Sequence, residues 1–251
     1  MTPDEVIARL RAAGCVFAED EAALLLAAGG DLEALVGRRV AGEPLEQVLG
    51  WAEFAGRRIA VAPTVFVPRR RTELLVRLAR ERAPHATLIV ELCCGSAAVA
   101  AVLAAERPEA QVHAADVDPA AVACARRNLD PARVHEGDLY AALPDALRGR
   151  VELLAVNAPY VPTDEIALMP AEAREHEARV ALDGGADGLD LHRRVAAGAP
   201  QWLAPGGWLL LETSRHQAPR SAALATAAGL VAEIVRAEDL DGTAVAARRP
   251  D

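Results

Sequence analysis

The stretch ATLIVELCCGSAAVAAVLAAERP, residues 86–108, decides the fold. It opens on a continuous apolar run without alternation, the pattern of a strand buried on both faces of a parallel sheet. It closes on an alanine-rich helix. Between the two lies a tight loop with Glu91, Gly95 and Ser96. Small residues at such a strand-to-helix turn let a ligand approach the backbone closely.

The same alternation continues downstream. QVHAADV (111–117) is a strand and PAAVACARRNL (119–129) a helix, with Pro119 in its first turn. ARVHEGD (132–138) and VELLAV (151–156) are further strands. GLDLHRRVAAGAPQWL (188–203) is helical, WLLLETS (208–214) is a strand and APRSAALATAAG (218–229) a helix. The tail, LVAEIVRAEDLDGTAVAARR (230–249), reads as two strands joined by a turn. No helix separates these two, so they pair antiparallel. The pattern predicts an α/β, Rossmann-like, doubly wound domain with a seven-stranded sheet.

Upstream, residues 1–45 read as helices: PDEVIARLRAAG is amphipathic, and DEAALLLAAGG ends in helix-stopping glycines. EFAGRRIAVAPTVFVP (53–68) reads as a β-hairpin, so residues 46–72 form a linker with a hairpin. TELLVRLARERA (72–83) is a helix with Thr72 at its N-cap, and it opens the main domain, 73–251.

Composition narrows the function. All 27 basic residues are arginine. Without lysine there is no Schiff base and no P-loop. A net charge of −9 argues against strong nucleic-acid binding. The four cysteines lack C-x-x-C spacing and the six histidines are scattered, so no metal site is expected. No apolar run reaches the roughly 18 residues of a membrane span, and the N-terminus lacks a signal-peptide pattern. The expectation is a cytoplasmic protein, monomeric or weakly self-associating.

Ligands of such sheets bind beyond the carboxyl ends of the strands. Four successive strands here end in Glu91, Asp116, Asp138 and Asn157. Asp116 lies about 20 residues past the loop, where a carboxylate can hold both hydroxyls of a ribose. A dinucleotide site is disfavoured, because the loop has one glycine and no G-x-G-x-x-G. The fourth strand runs into Asn157, Ala158, Pro159 and Tyr160.

This NAPY sequence resembles the (N/D)PPY motif of S-adenosylmethionine-dependent amino-methyltransferases. The colinear set resembles the HemK-like protein-(glutamine-N5) methyltransferases, which act on peptide-chain release factors. It comprises RRVAGEPLEQVLGWAEFAGRRIAV (38–61), FVPRRRTELLV (66–76), ELCCGSAAVA, DVDPAAVACARRN and EHEARVALDGGADGLDLHRRV (175–195). The resemblance implies S-adenosylmethionine as cofactor, a protein glutamine as acceptor, and the class I methyltransferase fold with a helical N-terminal substrate-recognition region.

It also implies residue roles. Asn157 and the Ala158 carbonyl accept the two N–H protons of the substrate amide, Pro159 stiffens the turn and Tyr160 packs on the amide plane. Positioning of this kind supplies on the order of 7–11 kcal/mol. Glu91, Cys93 and Gly95 line the methionine end. Asp116 and Val117 meet the ribose, and Asp138 and Leu139 the adenine. Pro68, Thr72, Glu73 and Glu177 lie near the substrate, with Glu175 beside them.

Several positions depart from the family. Ala158 replaces a proline, Cys93 and Ala97 replace glycines, Glu91 stands for the commoner Asp, and Arg70-Arg71 for Pro-Glu. The N-terminal region is shorter than the family's. These departures suggest a divergent paralogue, whose acceptor is a release factor or a related protein. Two alternatives are a cofactor-binding module with impaired catalysis and an N-methyltransferase acting on RNA or a small metabolite. Retention of Asn157, Pro159 and Tyr160 favours the enzyme.

Overall fold

A computed structural model describes residues 1–251. Four helices come first: α1 (Pro3–Ala12), α2 (Ala18–Ala27), α3 (Leu32–Val40) and α4 (Leu45–Leu49). The Thr2 hydroxyl accepts the Glu5 N–H while the Glu5 carboxylate accepts that of Thr2, a reciprocal cap that starts α1. Val6, Leu10, Leu25, Val36 and Val48 form a small core belonging to these helices alone.

The hairpin follows as β1 (Trp51–Phe54) and β2 (Arg57–Ala60), antiparallel with Phe54 opposite Arg57. Its two-residue turn places Ala55 and Gly56 at φ +49° and +75°. Two successive positive φ values match the twist of the paired strands.

The main body comprises α5 (Glu73–Arg82), β3 (Leu88–Leu92), α6 (Ala98–Glu106), β4 (Gln111–Asp116), α7 (Pro119–Ala125), β5 (Val134–Glu136) and β6 (Val151–Val156). It continues with α8 (Ala171–His176), α9 (Asp190–Trp202), β7 (Leu203–Glu212), α10 (Ala218–Ala227), β8 (Val231–Ala237) and β9 (Gly242–Arg248). Seven strands lie in the order β5-β4-β3-β6-β7-β9-β8. The first five are parallel, and β9 inserts antiparallel between β7 and β8. This is the expected seven-stranded doubly wound sheet.

Period-two alternation explains how both faces are filled. Ile89, Leu153 and Leu210 point into a core shared with α5 and α6. Val90, Leu154 and Leu209 point into the opposite core, shared with α9. Each fully buried side chain of this size stabilises by about 1.5–3 kcal/mol. A one-residue slip would exchange every strand residue between the two cores, so the register is tightly specified.

Thr72 differs from its sequence reading. It closes a 3-10 turn, Arg70–Thr72, before α5, and its side chain caps nothing. Its backbone is already helical, at φ −69° and ψ −17°, whereas a capping residue is extended. The hydroxyl is therefore available elsewhere. No helix is long and apolar enough to cross a membrane.

Candidate active site

The strand order reverses at β3, which has β4 on one side and β6 on the other. A cavity of about 800 Å³ opens there, at the carboxyl ends of the strands. The sequence-expected residues Glu91, Cys93, Gly95, Asp116, Val117, Asp138, Leu139, Asn157, Ala158, Pro159, Tyr160, Pro68 and Thr72 all line it.

The loop after β3 keeps a glycine-type backbone without the glycines. Cys93, Gly95 and Ala97 sit at φ +52°, +54° and +59°. For Cys93 and Ala97 this left-handed conformation costs about 1–2 kcal/mol each. The path of the loop is thus preserved at the expense of strain. Asn128 helps hold it there: its Nδ2 donates to the Ser96 carbonyl at 2.8 Å and to the Ala60 carbonyl of β2 at 2.9 Å.

Because Ala97 offers no side-chain cap, α6 starts with unpaired N–H groups. Glu91 supplies the acceptor from the strand: its Oε2 takes the Ala100 N–H at 2.7 Å. Burial pushes this carboxyl up to about 8, against the helix N–H groups that favour its ionised form.

At the end of β4 the two oxygens of Asp116 divide their work. Oδ2 accepts the Gly95 N–H at 2.8 Å and Oδ1 that of Asp118 at 2.9 Å. The carboxylate is thereby fixed in orientation, with lone pairs left for a pair of hydroxyls. Asp138 is paired with Arg194 on α9 at 2.6 Å, and Leu139 follows at φ +49°. These groups fit a nucleoside with vicinal hydroxyls and a zwitterionic amino-acid tail.

The NAPY turn faces the same cavity. Asn157 donates through Nδ2 to the Thr72 hydroxyl at 3.3 Å. Its Oδ1 receives no hydrogen bond from the protein, and no backbone N–H pairs with the Ala158 carbonyl. The turn is held from behind by the DGGADGLD segment. The Gln217 amide donates to the Tyr160 carbonyl at 2.9 Å, and a Cβ on Gly184 would stand 2.8 Å from the Pro159 oxygen. The Tyr160 hydroxyl donates to Glu212 at 3.4 Å. Burial and that neighbouring carboxylate push the phenol up to about 12.

Two expected substrate residues lie outside the cavity lining. Glu73 accepts the Ala55 N–H at 3.1 Å and so anchors the hairpin turn. Glu177 is sealed from solvent, where it accepts from the Val67 N–H at 3.0 Å and from Arg69 at 2.6 Å. Both carboxylates hold the chain around the cavity. Glu175 pairs with Arg174 on an exposed surface. Of the Arg70-Arg71 pair noted in the sequence, Arg71 lines the cavity; Arg194 and Gly184 also line it, and Glu212 and Gln217 stand behind it, without having been singled out in the sequence. Glu212 ends β7 as Asn157 follows β6, so the strand-end rule could have found it.

The family described as Methyltransferase small domain matches residues 62–187, half of the chain. A release factor glutamine methyltransferase from Geobacter sulfurreducens is 44% identical over 188 residues, covering 73% of this chain. The match spans 65% of that relative, slightly under two thirds of its length. Its counterpart in Cereibacter sphaeroides is 40% identical over 231 residues, 89% of this chain and 81% of the relative. Among solved structures, a methyltransferase from Pyrococcus furiosus has a TM-score of 0.59 at 15% identity. It covers 86% of this chain and 98% of its own, a likeness of fold. With the strand order, the site and these relatives in agreement, the chain belongs to the release factor glutamine methyltransferase family.

Proposed function

We propose that this protein is an S-adenosylmethionine-dependent N-methyltransferase whose acceptor is the side-chain amide of a glutamine in a release factor or a related protein. One observation carries the reading: the Asn157 amide nitrogen is engaged by Thr72, so that Oδ1 is left free beside the unpaired Ala158 carbonyl. Two neutral acceptors side by side match the two N–H donors of a primary amide.

An amide nitrogen is a weak nucleophile, because its lone pair is delocalised into the carbonyl. Asn157 and Ala158 hold both of its protons and so fix the direction of its remaining lobe. Tyr160 flanks the amide plane, and Pro159 restricts the turn that carries them. Glu91, Gly95, Asp116, Asp138 and Leu139 hold the cofactor. When bound, the cofactor supplies a methyl group on a positively charged sulfur. The helices of residues 1–45 serve as the substrate-recognition region, residues 46–72 as the linker, and residues 73–251 as the catalytic domain. Pro68 and Thr72 lie on the substrate side of the cavity.

The net charge of −9 supports a protein acceptor over RNA. The non-catalytic alternative rested on the degenerate loop, and the left-handed backbone at Cys93 and Ala97 weakens that ground. The test is transfer of labelled methyl to purified release factors, with Asn157→Ala as control. Wild-type transfer that is abolished in the variant, with S-adenosylhomocysteine affinity unchanged, supports the clamp. Transfer at the wild-type rate in the variant overturns it.

A further inference from the structure

Three arginines line the cavity: Arg71, Arg179 and Arg194. Arg179 donates to Asp183 at 3.2 Å and Arg194 to Asp138 at 2.6 Å. Arg71 differs from both. Its guanidinium forms no hydrogen bond within the protein, and its ionic neighbour is Glu212, whose Oε1 lies 3.4 Å from Nε. The Glu212 side chain is 3% exposed and that of Arg71 44% exposed. The carboxylate therefore stays behind the wall, while the guanidinium reaches the cavity.

The place of this contact in the sheet separates it from the cofactor residues. Glu212 ends β7, and its Oε1 also accepts from the Tyr160 hydroxyl at 3.4 Å. Between β7 and β3 lies β6, which leads into Asn157. At about 4.8 Å per strand, the contact stands about 10 Å across the sheet from the loop that leaves β3. Asp116 and Asp138 lie farther still, after β4 and β5.

We propose that Arg71 is a specificity-determining residue that binds a carboxylate on the acceptor, so that the enzyme prefers a glutamine with an aspartate or glutamate a few residues away. This rests on the function proposed above. A guanidinium is a planar fork whose paired N–H groups match the two oxygens of a carboxylate. Nε is the atom nearest Glu212, so the two Nη groups are the ones left to a ligand. An acceptor that covers the cavity also removes water from them. A neutral neighbour would leave a charged group without a partner, and a cationic one would be repelled. A carboxylate avoids both. The amino-acid tail of the cofactor carries the same chemistry, but its proposed seat is on the β3 side, and the experiment tells the two sources apart.

The test uses the full-length protein and labelled-methyl transfer to synthetic peptides of serine and glycine around one glutamine. Glutamate or lysine replaces serine at each position within three residues of that glutamine. We expect glutamate at one or more positions to raise kcat/KM about tenfold over the serine peptide, mainly through KM, as for one partly exposed charge-assisted pair. In Arg71→Gln the ratio of glutamate to serine peptide should fall to about one. In Arg71→Glu the preference should pass to lysine at the same positions. Arg71→Lys, which keeps the charge without the fork, should retain part of the original preference. S-adenosylhomocysteine affinity should stay within about twofold in every variant.

A wild type indifferent to glutamate at every position, or a preference that survives Arg71→Gln, would overturn the proposal. So would S-adenosylhomocysteine binding that weakens tenfold in Arg71→Gln, since the carboxylate would then be the cofactor's own. Should the wild type methylate neither these peptides nor release factors, the proposed function fails. Fluorescence anisotropy of the same peptides on the protein loaded with S-adenosylhomocysteine then decides the anion site alone. Tighter binding of glutamate peptides that Arg71→Gln removes supports it, and equal affinities sink it.

Discussion

The carboxylate of Asp116, at the end of β4, accepts the backbone N–H of Gly95 at 2.8 Å and so ties the second strand end to the loop leaving β3. In the proposed cofactor site, one residue thus serves both the ribose and the turn beside the methionine tail. Asp116→Ala removes a charged acceptor worth about 3 kcal/mol. S-adenosylhomocysteine should bind on the order of 10²-fold more weakly by calorimetric titration. Unchanged affinity would take Asp116 out of the site.

Cys93 holds φ +52° with its side chain half-buried, so the strain of its backbone outweighs what the thiol contributes by packing. Cys93→Gly should stabilise the fold by about 1 kcal/mol. That corresponds to a rise of about 2–4 °C in the unfolding midpoint. Cofactor affinity should hold or improve. A lower midpoint would show that the thiol packs better than its backbone suffers.

Glu91 titrates at about 8 in the fold, against 4.5 unperturbed, because burial penalises its charge. Between these values the folded chain keeps a proton that the unfolded chain has released. Stability from this group is therefore fully present below pH 4.5 and is lost as pH rises toward 8. The slope approaches about 1.4 kcal/mol per pH unit. Denaturant unfolding of the wild type and Glu91→Gln across this window checks it. The difference between the two should move with pH, and parallel curves would rule the effect out.

Gly184 leaves no room for a side chain, with a would-be Cβ 2.8 Å from the Pro159 oxygen and 2.8 Å from Gly188. Gly184→Ala should push the NAPY turn from behind. A displacement near 1 Å at a reacting centre costs about 10²-fold in rate. We expect kcat to drop by that order, with S-adenosylhomocysteine affinity within about twofold. A fall in affinity as large as the fall in kcat would mean that the segment supports the whole cavity and not the clamp alone.

The sheet was legible because its strands are continuous apolar runs separated by helices, and periodicity reports burial directly. Asn157 and the acids at the strand ends were legible because topology aims those positions at one place. Glu212 obeys the same rule but ends an ordinary WLLLE run with no motif beside it. Gln217 and Gly184 act by contact across 57 and 25 residues of chain, which no local pattern encodes. The segment between β6 and α9 defeated periodicity for another reason. It is a 3-10 turn (Thr163–Leu168), the short α8 and a second turn (Arg179–Ala181), pinned by single bridges from Thr64 to Glu177 and from Val161 to Asp183. Glu73 and Glu177 were read by motif position alone, and burial set what their carboxylates bind.

The buried amide of Gln47, on α4, donates to the Val65 carbonyl and to the His176 carbonyl, each at 3.1 Å. One side chain thus staples the N-terminal helices to both strips of chain that frame the cavity mouth. The leading helices and the sheet consequently do not separate as modules: a chimera that exchanged those helices would also have to carry residue 47 and its two carbonyls, or it would loosen the cavity mouth.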